Sequence, residues 1–435
     1  MRQFCPPTCT SILSVSTTLP LARPLAVTHH TVSTCAGHGS EALWQALCEQ
    51  KTSLKPCDFL DLQLQTWIGE VAGLNQVQLP ARLRAYDCRN NRLAALGLQA
   101  DGFDQAVLAA AARFGPSRVG VFLGTSSSGL LQTELAYRRR DPLSGALPAD
   151  FDYQCTQDTY SLASFVRALL GLNGPAHIVS TACSSSAKVF ASAERMIRLG
   201  LIDAAVVGGV DSLCQSTICG FHSLELTSTA ACRPYDQHRD GVSVGEGAAF
   251  ALLMPLHRAE VEGNDDHTVT LCGYGESSDA HHMSSPHPEG LGAQKAMRQA
   301  LARAGLAASQ IGYVNLHGTA TPNNDAAEGA AVLNVLGANV PCSSTKGLTG
   351  HALGAAGAVE AIVCIQALQR QTIPGGMNTE VLDPSIALNY ALRNRPATMD
   401  FVLSNSFGFG GSNCSLVFGT GKGVALAAKG LACVP

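Results

Sequence analysis

The sequence predicts an α/β protein of two similar halves, each with parallel sheets covered by helices. Three observations predict it. Apolar strand-like runs alternate with helix-period segments along the chain. The alternation restarts near residues 257–267, where Glu262-Gly263-Asn264-Asp265-Asp266 is the most linker-like stretch. The chain of 435 residues is 46% hydrophobic and 14% charged and holds 43 glycines, the balance of a tightly packed chain rather than a disordered one.

In the first half, Pro24–Val32 reads as a strand, with helices at Glu41–Glu49 and Ala106–Phe114. Val119–Gly124 is a strand ending in Thr125-Ser126-Ser127-Ser128-Gly129. The apolar run His177-Ile178-Val179 enters Ser180-Thr181-Ala182-Cys183-Ser184-Ser185-Ser186, and a helix-period segment follows (Ala187, Phe190, Ala193, Ile197). Ala204–Val210 is a buried strand. In the second half, strands are expected at Val269–Tyr274, Ile311–Leu316, Val340–Ser343, Phe401–Asn405 and Cys414–Phe418, and helices at Gln294–Ala304, Ala326–Leu336 and Ala355–Gln369. The division is a loose tail over 1–24, halves over 25–260 and 261–420, and a tail over 421–435.

A net charge of −4 gives no sign of a nucleic-acid binder. No apolar run reaches the ~20 residues that span a bilayer. The 16 cysteines are scattered through apolar segments, and no CxxC pair occurs. They read as reduced, mostly buried thiols of a cytoplasmic protein with no metal site. Met1–Leu21 lacks the clean apolar core and small-residue cleavage site of a signal peptide.

Cys183 is the first chemical candidate. A thiol at a strand-to-helix elbow lies by the positive end of a helix, which is expected to lower its pKa and make it a nucleophile. The alternative is a structural thiol at a buried strand end. His317 directly follows Tyr313-Val314-Asn315-Leu316, with Asp325 and Glu328 at the start of the next helix. His351 closes Ser343-Ser344-Thr345-Lys346-Gly347-Leu348-Thr349-Gly350. Glu360, on the helix after it, offers Lys346 an anionic partner. A lone histidine at a strand end is usually a satisfied polar residue. Yet ligand sites of α/β sheets form beyond the carboxyl ends of strands, so one pocket can collect all three. The last loop, Asn405-Ser406-Phe407-Gly408-Phe409-Gly410-Gly411-Ser412-Asn413, reads either as an oxyanion donor with an aromatic gate or as a plain hairpin turn.

These segments together resemble the β-ketoacyl-acyl-carrier-protein synthases of the elongating, thiolase-like type. The matching stretches are Thr181-Ala182-Cys183-Ser184-Ser185, Asp240-Gly241 with Gly245-Glu246-Gly247, His317-Gly318-Thr319-Ala320-Thr321, Lys346 with Gly350-His351, and Asn405 to Gly411. The resemblance implies two duplicated halves with mixed five-stranded sheets in an αβαβα layering. It implies a condensing enzyme that takes an acyl group on Cys183 and extends it with malonyl-acyl carrier protein, losing carbon dioxide. His317 and His351 would hold the malonyl thioester carbonyl, and Lys346 with Glu360 would set their charge state. The N–H groups of Cys183 and Phe409 would hold the first oxyanion, and Thr319 and Thr321 would contact the pantetheine arm; the gate that the loop's glycines allow is Phe407 or Phe409. Leu130, Leu131 and Phe221 would bound the acyl pocket, and Arg138, Arg139 and Arg140 would meet the acidic carrier protein. No metal or organic cofactor is implied beyond the carrier's 4′-phosphopantetheine. A homodimer, or a heterodimer with a synthase-like partner, is expected.

The chain departs from the family pattern at Val27-Thr28-His29-His30-Thr31, at Asp158–Ala163 and at Val242, which stands where an aromatic is usual. These departures leave the chemistry intact. They open the choice between fatty-acid elongation and a dedicated polyene or polyketide-like pathway. Two other readings remain. A non-catalytic chain-length partner usually loses the nucleophile that is present here. A thiolase needs a second catalytic cysteine, for which Cys414 is the nearest candidate.

Overall fold

The computed structural model describes residues 23–259 and 268–431. The linker-like stretch Glu262 to Asp266 and nearly all of the N-terminal tail lie outside the described residues. Ten strands form the frame of the site. In the first half they are β1 Leu25–Thr34, β2 Val119–Gly124, β3 Ala176–Val179, β4 Ala204–Asp211 and β5 Gly247–Pro255. In the second they are β6 Val269–Ser278, β7 Ile311–Asn315, β8 Pro341–Ser343, β9 Phe401–Gly408 and β10 Ser412–Thr420.

The halves repeat one topology. The first is ordered β3-β2-β4-β5-β1 and the second β8-β7-β9-β10-β6. In each, the first three strands run parallel and the last two pair antiparallel. Both five-stranded sets are therefore present, but they are not separate sheets. β1 and β6 pair antiparallel through Leu25↔Leu271 and Ala26↔Thr270, which fuses them into one 12-stranded sheet. The segment after 420 is not a plain tail: Gly421–Leu431 is helical.

Three apolar cores separate five layers. One lies between the first half-sheet and its outer helices, Arg89–Gln99, Phe103–Phe114 and Tyr160–Leu170. Another lies between the second half-sheet and Leu291–Ala304 with Pro322–Leu336. The third holds the helices Ser185–Arg198 and Ala356–Arg370 against both half-sheets. A helix that is apolar all round belongs inside a protein. Ala356–Arg370 fits that rule, since every residue from Ala356 to Leu368 is buried.

The two central helices cross in direct contact where they begin. Ala358 N–H donates to Ser186 Oγ at 2.8 Å. A Cβ on Gly357 would lie 2.8 Å from both the Cβ and the backbone nitrogen of Ala187. Gly357→Val is therefore expected to lower stability by about 1–3 kcal/mol through overpacking, a loss that denaturant titration measures. It should also lower activity in the protein that still folds, because these two helix starts carry the site. An unchanged unfolding midpoint contradicts the contact.

Candidate active site

Both central helices start at one cavity of about 280 Å³, lined by Cys183, His317, His351, Phe221, Thr319, Thr321, Phe407 and Phe409 among others. Cys183 follows β3 and precedes the helix Ser185–Arg198. Ala182 takes φ +51°, which turns the chain sharply at the elbow. Ser185 braces the turn: its Oγ accepts from Thr181 N–H at 2.8 Å and donates to the Ala182 carbonyl at 2.5 Å. His317 follows β7 after Leu316, and His351 follows β8 after the short helix Lys346–Thr349. The Cys183 sulfur and a ring nitrogen of each histidine lie within 4.8 Å of one another. The two rings stand edge to face, with centroids 5.3 Å apart.

The hydrogen-bond network fixes each tautomer. Leu353 N–H donates to His351 Nδ1 at 3.2 Å. That nitrogen is therefore an acceptor, and the proton sits on Nε2. Lys346 Nζ, which only donates, lies 3.4 Å from His317 Nδ1 and also donates to the His317 carbonyl and to Glu360 Oε1. His317 is thus likewise left with an Nε2–H. Burial, with the Lys346 charge adding to it, holds both imidazoles well below their ordinary pKa. The site presents two neutral N–H donors rather than two imidazolium ions.

Lys346 and Glu360 form a buried ion pair beneath the cavity. Glu360 does not line it, so it positions Lys346 rather than touching what the cavity holds. Glu328, buried in the next helix, accepts from the N–H groups of His317 and Gly318 at 2.8 Å each, from Tyr235 Oη at 3.1 Å and from Asn405 Nδ2 at 3.2 Å. Burial pushes its carboxyl up to about 7. Asp325 accepts from Thr319 N–H at 3.0 Å. The two acids that open this helix therefore shape the His317 loop.

Three of the loops carry a non-glycine residue in the left-handed region: Ala182 beside Cys183, Ala320 in the His317 loop at φ +65° and Leu353 after His351 at φ +52°. Each costs roughly 1–2 kcal/mol that the surrounding hydrogen bonds offset.

The thiol departs from expectation. Burial raises Cys183 to about 11, and the facing Phe409 N–H and the Lys346 charge offset this only in part. The sequence shows the helix start but not the depth at which the sulfur sits, and desolvation of the thiolate wins. Alkylation by iodoacetamide should therefore be slow at pH 7 and climb steadily to pH 9 and above. A plateau reached by pH 7 contradicts a neutral resting thiol.

Other predicted residues divide. Thr319 and Thr321 line the cavity with their hydroxyls 2.8 Å apart. Phe407 and Phe409 line it too, on a loop that is also the tight hairpin turn between β9 and β10. Phe221 stacks against Phe409 with centroids 5.5 Å apart. Leu130 and Leu131 are not in the lining. They lie behind Phe221 in an apolar cluster with Phe59, Leu213, Ile218 and Leu353. The arginine run is not a free basic patch: Arg138 pairs with Asp61 at 3.2 Å and Arg139 with Asp150 at 3.0 Å. Arg140 alone has no partner among the described residues. Asp61 is too distant in sequence for the pairing to be read there.

Cys414 sits in β10 within the central core and does not reach the cavity. The second cysteine a thiolase requires is therefore missing from this position. Asp211 and Leu353 were not singled out by sequence, and Glu328 was noted there only for its place beside the His317 loop. Asp211 had one signal, an acid closing a strand of otherwise small and apolar residues.

Comparison with known proteins agrees with this geometry. The profile of the beta-ketoacyl synthase N-terminal domain matches residues 91–259, and that of the C-terminal domain matches 268–380. The chain belongs to the β-ketoacyl synthase family, thiolase-like acyltransferases that perform carbon–carbon condensation. Among its relatives, 3-oxoacyl-acyl-carrier-protein synthase 2 of Synechocystis is 31% identical over 401 residues, covering 88% of this chain and 94% of the relative. The Vibrio cholerae enzyme of the same name is 35% identical over 315 residues, covering 69% and 76%. Among solved structures, the Xenorhabdus doucetiae ketosynthase ApeO, in complex with its chain length factor ApeC, is 36% identical with a TM-score of 0.81, covering 92% of this chain and 98% of that one. A beta-ketoacyl synthase from Burkholderia phymatum is 29% identical with a TM-score of 0.82, covering 92% and 99%.

Proposed function

We propose that Cys183, His317 and His351 divide the condensation between them, and that the substrates arrive on an acyl carrier protein. The carrying observation is the convergence of one thiol and two neutral Nε2–H donors on a single cavity. In the first step the Cys183 sulfur attacks an acyl thioester. The N–H groups of Cys183 and Phe409 stabilise the oxyanion. Both Nδ1 lone pairs are already occupied, so neither imidazole is free to act as base. The thiol proton leaves with the departing pantetheine sulfur, and one thiol replaces another. The second step places a malonyl thioester carbonyl between the two Nε2–H groups. As the bond to the carboxylate breaks, carbon dioxide leaves and the enolate charge falls on that oxygen. The carbanion attacks the acyl-Cys183 carbonyl, and the carbon–sulfur bond breaks to give the 3-oxoacyl product and the free thiolate, which takes up a proton. Carbon dioxide release drives the sequence, so the reading needs no metal or organic cofactor.

The same three side chains also resemble a metal tripod. Two observations favour condensation over that reading. A metal would need a bare Nε2 on His351, but the Leu353 N–H already claims its other nitrogen. The Lys346 charge next to His317 further disfavours a cation.

An acyl carrier protein is the proposed partner in solution. A second synthase-like chain is proposed at β3, one of the two edges of the sheet, where Ala176, Ile178 and Val179 are half-buried and His177 is exposed. Unpaired strand edges are natural sites of association. The choice between a fatty-acid and a polyene or polyketide-like pathway rests on the shape of the cavity that Phe221 and Val242 both line, where valine leaves more room than an aromatic. Incubation with acyl- and malonyl-carrier proteins tests the reading. A 3-oxoacyl product and an acyl adduct on Cys183, seen by mass spectrometry, are expected. An adduct on another residue overturns it. No helix among the described residues is long and apolar enough to cross a membrane.

A further inference from the structure

Asp211 ends β4 with no exposed surface, and the reaction as described does not use it. Its carboxylate gathers donors from two loops. Thr125 Oγ1, the N–H and Oγ of Ser126, and the N–H and Oγ of Ser127 reach it at 2.7–3.0 Å. From the histidine loop, Gly354 N–H reaches Oδ2, the oxygen that Ser126 also contacts, at 2.6 Å. Gly354 follows Leu353, the left-handed residue whose N–H faces His351 Nδ1. A Cβ on Gly354 would lie 2.5 Å from Asp211 Oδ2, so the approach depends on glycine there.

We propose that Asp211 is a positioning residue that fixes the tautomer of His351. By holding Gly354 it keeps Leu353 in its strained conformation, and Leu353 then holds its N–H against Nδ1. The proton is thereby kept on Nε2, where the enolate oxygen needs it. Without that anchor Leu353 relaxes to negative φ, its N–H turns away, and His351 is free to protonate at Nδ1 instead. The anchor also joins the Ser126–Ser127 loop of the first half to the histidine loop of the second. The proposal rests on the donor role of His351 given above.

Two variants test it, Asp211→Asn and Gly354→Ala. The first replaces an acceptor oxygen by an amide donor. The second places a Cβ 2.5 Å from Asp211 Oδ2 and 2.8 Å from Ser126 N, so it pushes Gly354 away from both the carboxylate and the serine loop that holds it. The readout independent of activity is the pair of ring-nitrogen chemical shifts of ¹⁵N-labelled His351. The wild type is expected to show protonated Nε2 and unprotonated Nδ1, and both variants a mixture of the two tautomers. Malonyl decarboxylation should fall about tenfold through kcat, the scale of losing one hydrogen bond to a charged group, with KM for the acyl substrate unchanged. Leu353→Gly, introduced into Asp211→Asn, should restore part of the rate, since glycine holds a positive φ without the anchor. If His351 keeps an unmixed Nε2–H tautomer in the variants, the proposal fails. A tautomer shift with unchanged decarboxylation leaves the Asp211 anchor standing and instead overturns the donor role of His351. Should Asp211→Asn not fold, Gly354→Ala decides alone by the same shifts.

Discussion

Cys183→Gln is expected to reduce condensation to background while malonyl decarboxylation continues. Cys183 is the one cysteine among the described residues that line the cavity, so no other thiol there can take its place. Removing it deletes the covalent intermediate outright rather than weakening one interaction. The decarboxylating donors belong to different loops, and neither His317 nor His351 uses the sulfur as a hydrogen-bond partner. A glutamine amide resembles an acylated cysteine in shape and can place its carbonyl against the Phe409 N–H, so the second step keeps its surroundings. Carbon dioxide release and 3-oxoacyl formation, followed in parallel, separate the two steps. Retained condensation in this variant would falsify the mechanism.

His317→Ala and His351→Ala are each expected to slow malonyl decarboxylation by ~10²–10³, the usual cost of deleting one preorganised donor to a developing oxyanion. Acylation of Cys183 should suffer less, because that step relies on backbone N–H groups. Glutamine at either position keeps an N–H and should recover part of the loss. The histidines also set the pH response. Burial and Lys346 hold both rings well below their ordinary pKa, so they remain neutral donors as the pH drops through 6.5. Decarboxylation is therefore expected to stay level from pH 8 to about 6. A fall centred near 6.5 would show that imidazolium forms there and that the donors are less buried than described.

Much of this was legible in the sequence, for identifiable reasons. β2 was located to the residue because Gly and Val fill it and a serine run ends it. Cys183, His317 and His351 stood out because each occupies a loop at the end of a short apolar strand. β6 and β9 run past their expected ends because Glu276, Ser277 and Ser406 gain β10 as a pairing partner, and no local composition reveals that. The fusion of the half-sheets depends on two residue pairs some 245 positions apart. The pairing of Arg138 and Arg139 could not be read locally because their counter-charges, Asp61 and Asp150, lie on other loops. The Cys183 pKa misled because helix geometry is local, whereas burial is a property of the whole fold.

The repeated topology has a consequence for how such a catalyst diversifies. Cys183, Phe221 and the serine loop belong to one copy of the duplicated unit. His317, His351 and Lys346 belong to the other. The two sides meet where Asp211 ties the serine loop to Gly354, so substitutions on the nucleophile side leave carbon dioxide release untouched only where they spare that tie. A single ancestral reaction can in this way be kept intact while its chain-length preference is rewritten.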